Sequence, residues 1–118
     1  MTSQIRQNYD NKCEELVNEQ INWELKASYV YQAISFHFDR DDVALQGFSD
    51  FFKKQSIDER EHAEKFMTYQ NKRGGQIILS NIPKPNETQW TAESAFESAL
   101  NLEKQINLVN LLFTIILN

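Results

Sequence analysis

The stretch Asp58-Glu59-Arg60-Glu61-His62-Ala63-Glu64-Lys65 decides the fold, because Glu59 and His62 stand three residues apart in the middle of an otherwise apolar stripe. That stripe reads Leu45, Phe48, Phe52, Gln55, Glu59, His62, Phe66 and Tyr69, a run of threes and fours that predicts a helix over about residues 43–73. Side chains at that spacing share one helix face, so a carboxylate and an imidazole point where a core belongs. Gly74-Gly75 supplies the stop a helix C-terminus favours.

Working outward, residues 9–38 contain no Gly or Pro, and Val17, Ile21, Ser28, Tyr31 and Phe38 follow the same spacing. This is a first long helix. Asp39-Arg40-Asp41-Asp42 breaks it, and Asp41 or Asp42 is expected to cap a second helix beginning near Val43. So short a turn makes the two helices antiparallel neighbours. Residues 76–89, with Pro83 and Pro85, read as an extended connection long enough to cross the bundle, so that the third helix runs parallel to the second. The third helix starts near Trp90, with a predicted stripe of Phe96, Ala99, Leu100, Glu103, Ile106 and Asn110.

Each predicted stripe carries a carboxylate near its middle. Glu24 lies between Ile21 and Ser28 with Tyr31 two turns along the same face; Glu59 and His62 lie between Phe52 and Phe66; Glu103 lies between Ala99 and Ile106. Several buried carboxylates need a common cation to neutralise them. Carboxylate oxygens with one imidazole and no thiolate suit iron or manganese better than a structural zinc site. Two ions fit a helical bundle in which lone glutamates on two helices combine with Glu-x-x-His on others; here Glu59-Arg60-Glu61-His62 is one such motif, Glu24 and Glu103 are lone carboxylates, and a second Glu-x-x-His is absent. His37 has no carboxylate at helical spacing before it and reads as structural, Cys13 as a small apolar filler, and Glu14, Glu15, Asp58, Glu61 and Glu64 as a solvated face.

Bulk properties agree. A chain of 118 residues with 41% hydrophobic content reads as one small domain over residues 1–118. Its net charge of −5 offers no footprint for nucleic acid. A single cysteine excludes an internal disulfide, and Met1 to Asp10 hold no apolar run of the signal-peptide kind, so a cytoplasmic setting is expected and the Asn86-Glu87-Thr88 glycosylation pattern is discounted. The apolar ending Leu111-Leu112-Phe113-Thr114-Ile115-Ile116-Leu117 is shorter than the ~20 residues that span a bilayer, so no membrane partner is expected.

These residues resemble the eukaryotic ferritins, of the heavy, catalytically active type. The resemblance rests on Gln7-Asn8-Tyr9, Ala27-Ser28-Tyr29-Val30-Tyr31, Phe38-Asp39-Arg40-Asp41-Asp42-Val43-Ala44-Leu45, Arg60-Glu61-His62-Ala63-Glu64-Lys65, Asn71-Lys72-Arg73-Gly74-Gly75 and Leu102-Glu103-Lys104, and covers about residues 4–107. It implies an all-α, ferritin-like four-helix bundle with a long crossover loop at 76–89, of which this chain supplies helices one, two and most of three. It implies a diiron centre in which Glu24, Glu59 and His62 bind the first iron, Glu59 bridges, Glu103 holds the second and Tyr31 hydrogen-bonds within the site. It implies ferrous oxidation by dioxygen, mineral nucleation at Asp58, Glu61 and Glu64, and assembly with other ferritin subunits into a hollow cage. After Asn107 the pattern gives way to Leu108-Val109-Asn110-Leu111-Leu112-Phe113, so the fourth helix, its ligand-shell glutamine and the residues of the three-fold channels are expected to be missing. Exposed apolar stripes would then favour aggregation or rescue by full-length partners. Three readings follow: a ferroxidase, a storage subunit that nucleates mineral without oxidising iron, and an inactive fragment that only co-assembles.

Overall fold

A computed structural model describes residues 3–117, the side chain of Leu117 excepted; Met1, Thr2 and Asn118 lie outside the described residues. Three helices account for the regular structure: α1 (Asn11–Phe38), α2 (Gln46–Lys72) and α3 (Ala92–Leu117). No strand occurs among the described residues, and none of their helices is long and apolar enough to cross a membrane. The fold is all-α, as the periodicities predict.

Asp10 starts α1 by accepting a hydrogen bond from the Lys12 amide, which satisfies one of the open N-H groups of the first turn. The expected cap of α2 is not formed. Asp42 is paired with Arg40 at 2.7 Å, Ala44 adopts a left-handed φ of 51°, and α2 begins only at Gln46, after a Leu45 that makes no side-chain cap bond. A left-handed residue interrupts the helical path, so Val43 falls in the turn. The C-terminal stop is as expected: Gly74 has φ 73°, and a Cβ there would lie 2.6 Å from the Arg6 backbone nitrogen.

The pairing of α1 with α2 is fixed by small residues. Ser28 Oγ donates to the Ser56 carbonyl and Ser56 Oγ to that of Ser28, each at 2.7 Å; one heptad away, Ser35 Oγ donates to the Ser49 carbonyl at 2.7 Å. Serines let the backbones approach while bonding across the contact. The order of these pairs makes the helices antiparallel, and the contacts Tyr31–Glu103 and His37–Trp90 make α1 antiparallel to α3. Hence α2 and α3 run parallel, each against α1, and they meet through aromatic side chains: Phe48, Phe51 and Phe52 against Phe96 at one end, Tyr69 against Phe113 at the other.

Between α2 and α3 the connection 76–89 has no regular structure and runs along α1. Its path is pinned by two asparagines one turn apart. Asn18 accepts from the Ile78 amide and donates to the Gln76 carbonyl, and Asn22 accepts from the Ser80 amide. Their side-chain amides thus do for the extended backbone what a neighbouring strand would. From Asn18 to His37 the loop travels about 28 Å of helix, at 1.5 Å per residue. The loop ends at buried Trp90, whose carbonyl lies 2.8 Å from His37 Nε2, so His37 serves the fold as its sequence context indicates. Thr91 and Ser94 then cap α3 reciprocally, each hydroxyl accepting from the other's amide. Replacing Asn18 and Asn22 together with alanine is expected to remove about 1 kcal/mol per bond. The Ile78 and Ser80 amides should then exchange with solvent roughly fivefold or more faster in hydrogen-exchange measurements, while the middle of α1 is unchanged.

The core joins Ala27, Val30, Tyr31, Ile34 and Phe38 of α1 to Phe52 of α2 and to Trp90, Ala95, Leu102 and Ile106. The predicted α3 stripe is thereby corrected. Ile106 is buried and Ala99 packs at the edge, but Phe96 is 43% and Leu100 56% exposed, and Asn110 is exposed. The face turned to α1 is instead Ala95, Leu102, Ile106 and Val109.

Candidate metal centre

Halfway along the bundle, between the two aromatic contacts of α2 with α3, polar side chains replace the core. Glu24 from α1 and Glu59 from α2 are both buried within a few per cent of completely, and His62, one turn past Glu59, stands half exposed at their edge. His62 Nδ1 is 3.8 Å from Glu24 Oε2 and 3.7 Å from Glu59 Oε2. One ligand atom from each of the three residues falls within 4.8 Å of the others, close enough for a single ion to reach all three.

The strongest chemical sign is what these carboxylates lack. Glu24 Oε2 and Glu59 Oε2 are buried and have no hydrogen-bond partner. A buried carboxylate oxygen without a donor is strongly unfavourable, and two side by side more so. Burial pushes the Glu59 carboxyl up to about 7; the adjacent Glu24 carboxyl adds to the rise, and Glu103 and His62 oppose it. A proton held there is the substitute for a cation.

Glu103 completes the arrangement from α3. Its Oε1 accepts a 2.9 Å hydrogen bond from Tyr31 OH, and burial raises its carboxyl above the ordinary range while the Tyr31 bond lowers it. Burial, with Glu103 next, pushes the Tyr31 phenol far above its usual value, so Tyr31 remains a proton donor at any ordinary pH. Glu103 influences Glu59 but lies outside the close three-residue group. The donor set is one of hard oxygens with a single nitrogen, which fits ferrous iron and leaves no reason for a thiophilic metal.

Asp58, Glu61 and Glu64 lie elsewhere, on the outward side of α2. Asp58 pairs with Lys54 at 2.9 Å, Glu64 approaches Arg60 at 3.7 Å, and both Glu61 and Glu64 are exposed. Sequence reasoning missed one site residue, Gln20, which is buried and donates from Nε2 to Glu24 Oε1 at 2.9 Å. Its place four residues before Glu24, on the same helix face, was the available signal.

Comparison with known proteins gives the chain's relatives. The family model described as Ferritin-like domain matches residues 14–108. The chain is similar to a soma ferritin of Lymnaea stagnalis, 58% identical over 106 residues, which are 89% of this chain and 61% of that protein. It is also similar to ferritin middle subunits of Salmo salar, 53% identical, and of Aquarana catesbeiana, 54% identical, each over 108 residues covering 91% of this chain and 61% of the relative. The chain therefore spans about three-fifths of the length of these relatives. Matched by the family model over most of its length and more than half identical to three ferritins, the chain belongs to the ferritin family.

Proposed function

We propose that this chain takes part in iron storage by binding ferrous iron at Glu24, Glu59 and His62, with Glu103 and Tyr31 beside them, and promoting its oxidation by dioxygen. The observation that carries the reading is the pair of buried, partnerless oxygens, Glu24 Oε2 and Glu59 Oε2, flanking His62 Nδ1. Glu59, influenced by both the Glu24 and the Glu103 carboxyls, would be the carboxylate shared between two ions. Two ferrous ions give one electron each, and dioxygen takes both with two protons. Tyr31 holds the Glu103 carboxylate in place by its hydrogen bond, and His62 stands at the edge of the site beside both Glu24 and Glu59. Ferric product would collect on the acidic side of α2, where Glu61 and Glu64 are exposed, inside a cage built with other ferritin subunits in a cytoplasmic setting.

The test is to express the chain, determine its particle size in solution and follow aerobic oxidation of added ferrous iron beside a Glu59→Ala, His62→Ala double variant. Saturable oxidation that the substitutions abolish supports the reading. A rate indifferent to them, in particles of cage size, assigns the chain to storage without oxidation.

A further inference from the structure

We propose that Gln20 is a positioning residue of this site: its amide holds one oxygen of Glu24 and thereby fixes the other as the atom that meets the cation. The inference rests on the iron-binding reading above. Gln20 and Glu24 are one turn apart on α1, so their side chains stack along the same face. Gln20 is 3% exposed, and its Nε2 donates to Glu24 Oε1 at 2.9 Å. Glu24 Oε2, left without a protein partner, is the oxygen 3.8 Å from His62 Nδ1.

The terminal torsion of a glutamate is soft and nearly two-fold, so nothing intrinsic to Glu24 sets which oxygen faces the site. A donor on one of them does. The amide is directional as well: turned over, it would set its oxygen against a carboxylate oxygen, two acceptors with no proton between them. Gln20 Oε1, facing away from that bond, is buried without a partner. Packing alone does not account for such a residue, because Leu16, Val17 and Ile21, near it along α1, are buried and apolar, and a methionine at 20 would fill similar volume with no polar atom unmatched. The amide is explained by the carboxylate it orients. Groups that hydrogen-bond to a metal-ligating carboxylate set its orientation, and their loss commonly weakens metal binding roughly 10–100-fold.

The experiment is an anaerobic calorimetric titration of the full chain with ferrous iron, paired with absorption spectra of the cobalt(II)-loaded protein, for wild type, Gln20→Met and Gln20→Leu. The expected result is a fall in ferrous affinity of about 10-fold or more in Gln20→Met, with a changed cobalt ligand-field spectrum and an unchanged helical circular dichroism spectrum. Gln20→Leu also removes the donor without adding charge and should be similarly weak, which keeps the test decisive if the methionine variant folds poorly. Wild-type affinity and an unaltered cobalt spectrum in the folded variants would overturn the positioning role while leaving the iron site standing. A wild-type chain that binds no ferrous iron would overturn both.

Discussion

Held free of metal by a chelator, the wild-type chain is expected to lose about 2 kcal/mol of stability between about pH 5.5 and about pH 8, and Glu59→Gln to lose almost none of it. Burial pushes the Glu59 carboxyl up to about 7 in the folded chain, from an ordinary value of 4.5. Between those two values the folded state keeps a proton that the unfolded state has released. Stability therefore falls as pH rises, steeply from below 6 and flattening once pH passes 7, where both states are ionised. Glu103, also raised by burial, adds a contribution of the same sign. Glu14, lowered by its bonds to the Gln76 amide and Arg6, has the opposite sign, but its window lies below 4.5 and outside the measurement. Glutamine at 59 keeps the shape without the titration. Urea-denaturation midpoints across the pH range measure the slope, and a Glu59→Gln chain as pH-dependent as wild type would sink the assignment. Ferrous iron added anaerobically should reverse the trend in wild type, because the cation takes the place of the proton and binds best where the carboxylate is ionised. The glutamine variant should show no such gain.

The polar side chains of the candidate site were legible in the sequence, and some of their surroundings were not. Glu24, Glu59 and His62 stood out because charged residues interrupted apolar stripes of helical period, and such an interruption has few explanations in a core. Gln20 broke its stripe in the same way, yet an uncharged amide in a helix is ordinary, and only the distance to Glu24 Oε1 gives it meaning. Asn18 and Asn22 gave no signal in the sequence, since their partners, the backbone groups of 76–80, lie some 60 residues later in the chain. The α3 stripe was misassigned because that helix is apolar on two faces. Phe96 and Leu100 fit the period as well as Ala95 and Leu102, and periodicity carries no information on which face meets α1. The cap expected of Asp41 or Asp42 failed for a local reason, the left-handed Ala44, which no propensity indicates for an alanine.

Phe52→Ala is expected to cost about 3–5 kcal/mol, and Phe96→Ala, which removes the same atoms, only about 1 kcal/mol. Phe52 is fully buried, with the rings of Tyr31 at 6.0 Å, Phe51 at 5.2 Å, Phe96 at 5.3 Å and Phe38 at 6.3 Å, so its loss leaves a cavity where all three helices meet. Phe96 is nearly half exposed, and water can occupy its place. Domains of this size have a total stability of about 5–15 kcal/mol, so the first substitution removes a large share of it and the second does not. The consequence reaches the candidate metal centre, because the Tyr31 ring rests against Phe52 while its hydroxyl holds Glu103. A Phe52→Leu chain that still folds should therefore bind ferrous iron more weakly than a Phe96→Leu chain, although neither residue offers a ligand atom. Denaturation midpoints of the alanine pair and anaerobic titrations of the leucine pair measure the two effects. Equal losses at 52 and 96 would mean that the contact of α1 with α2 does not govern the geometry of the site.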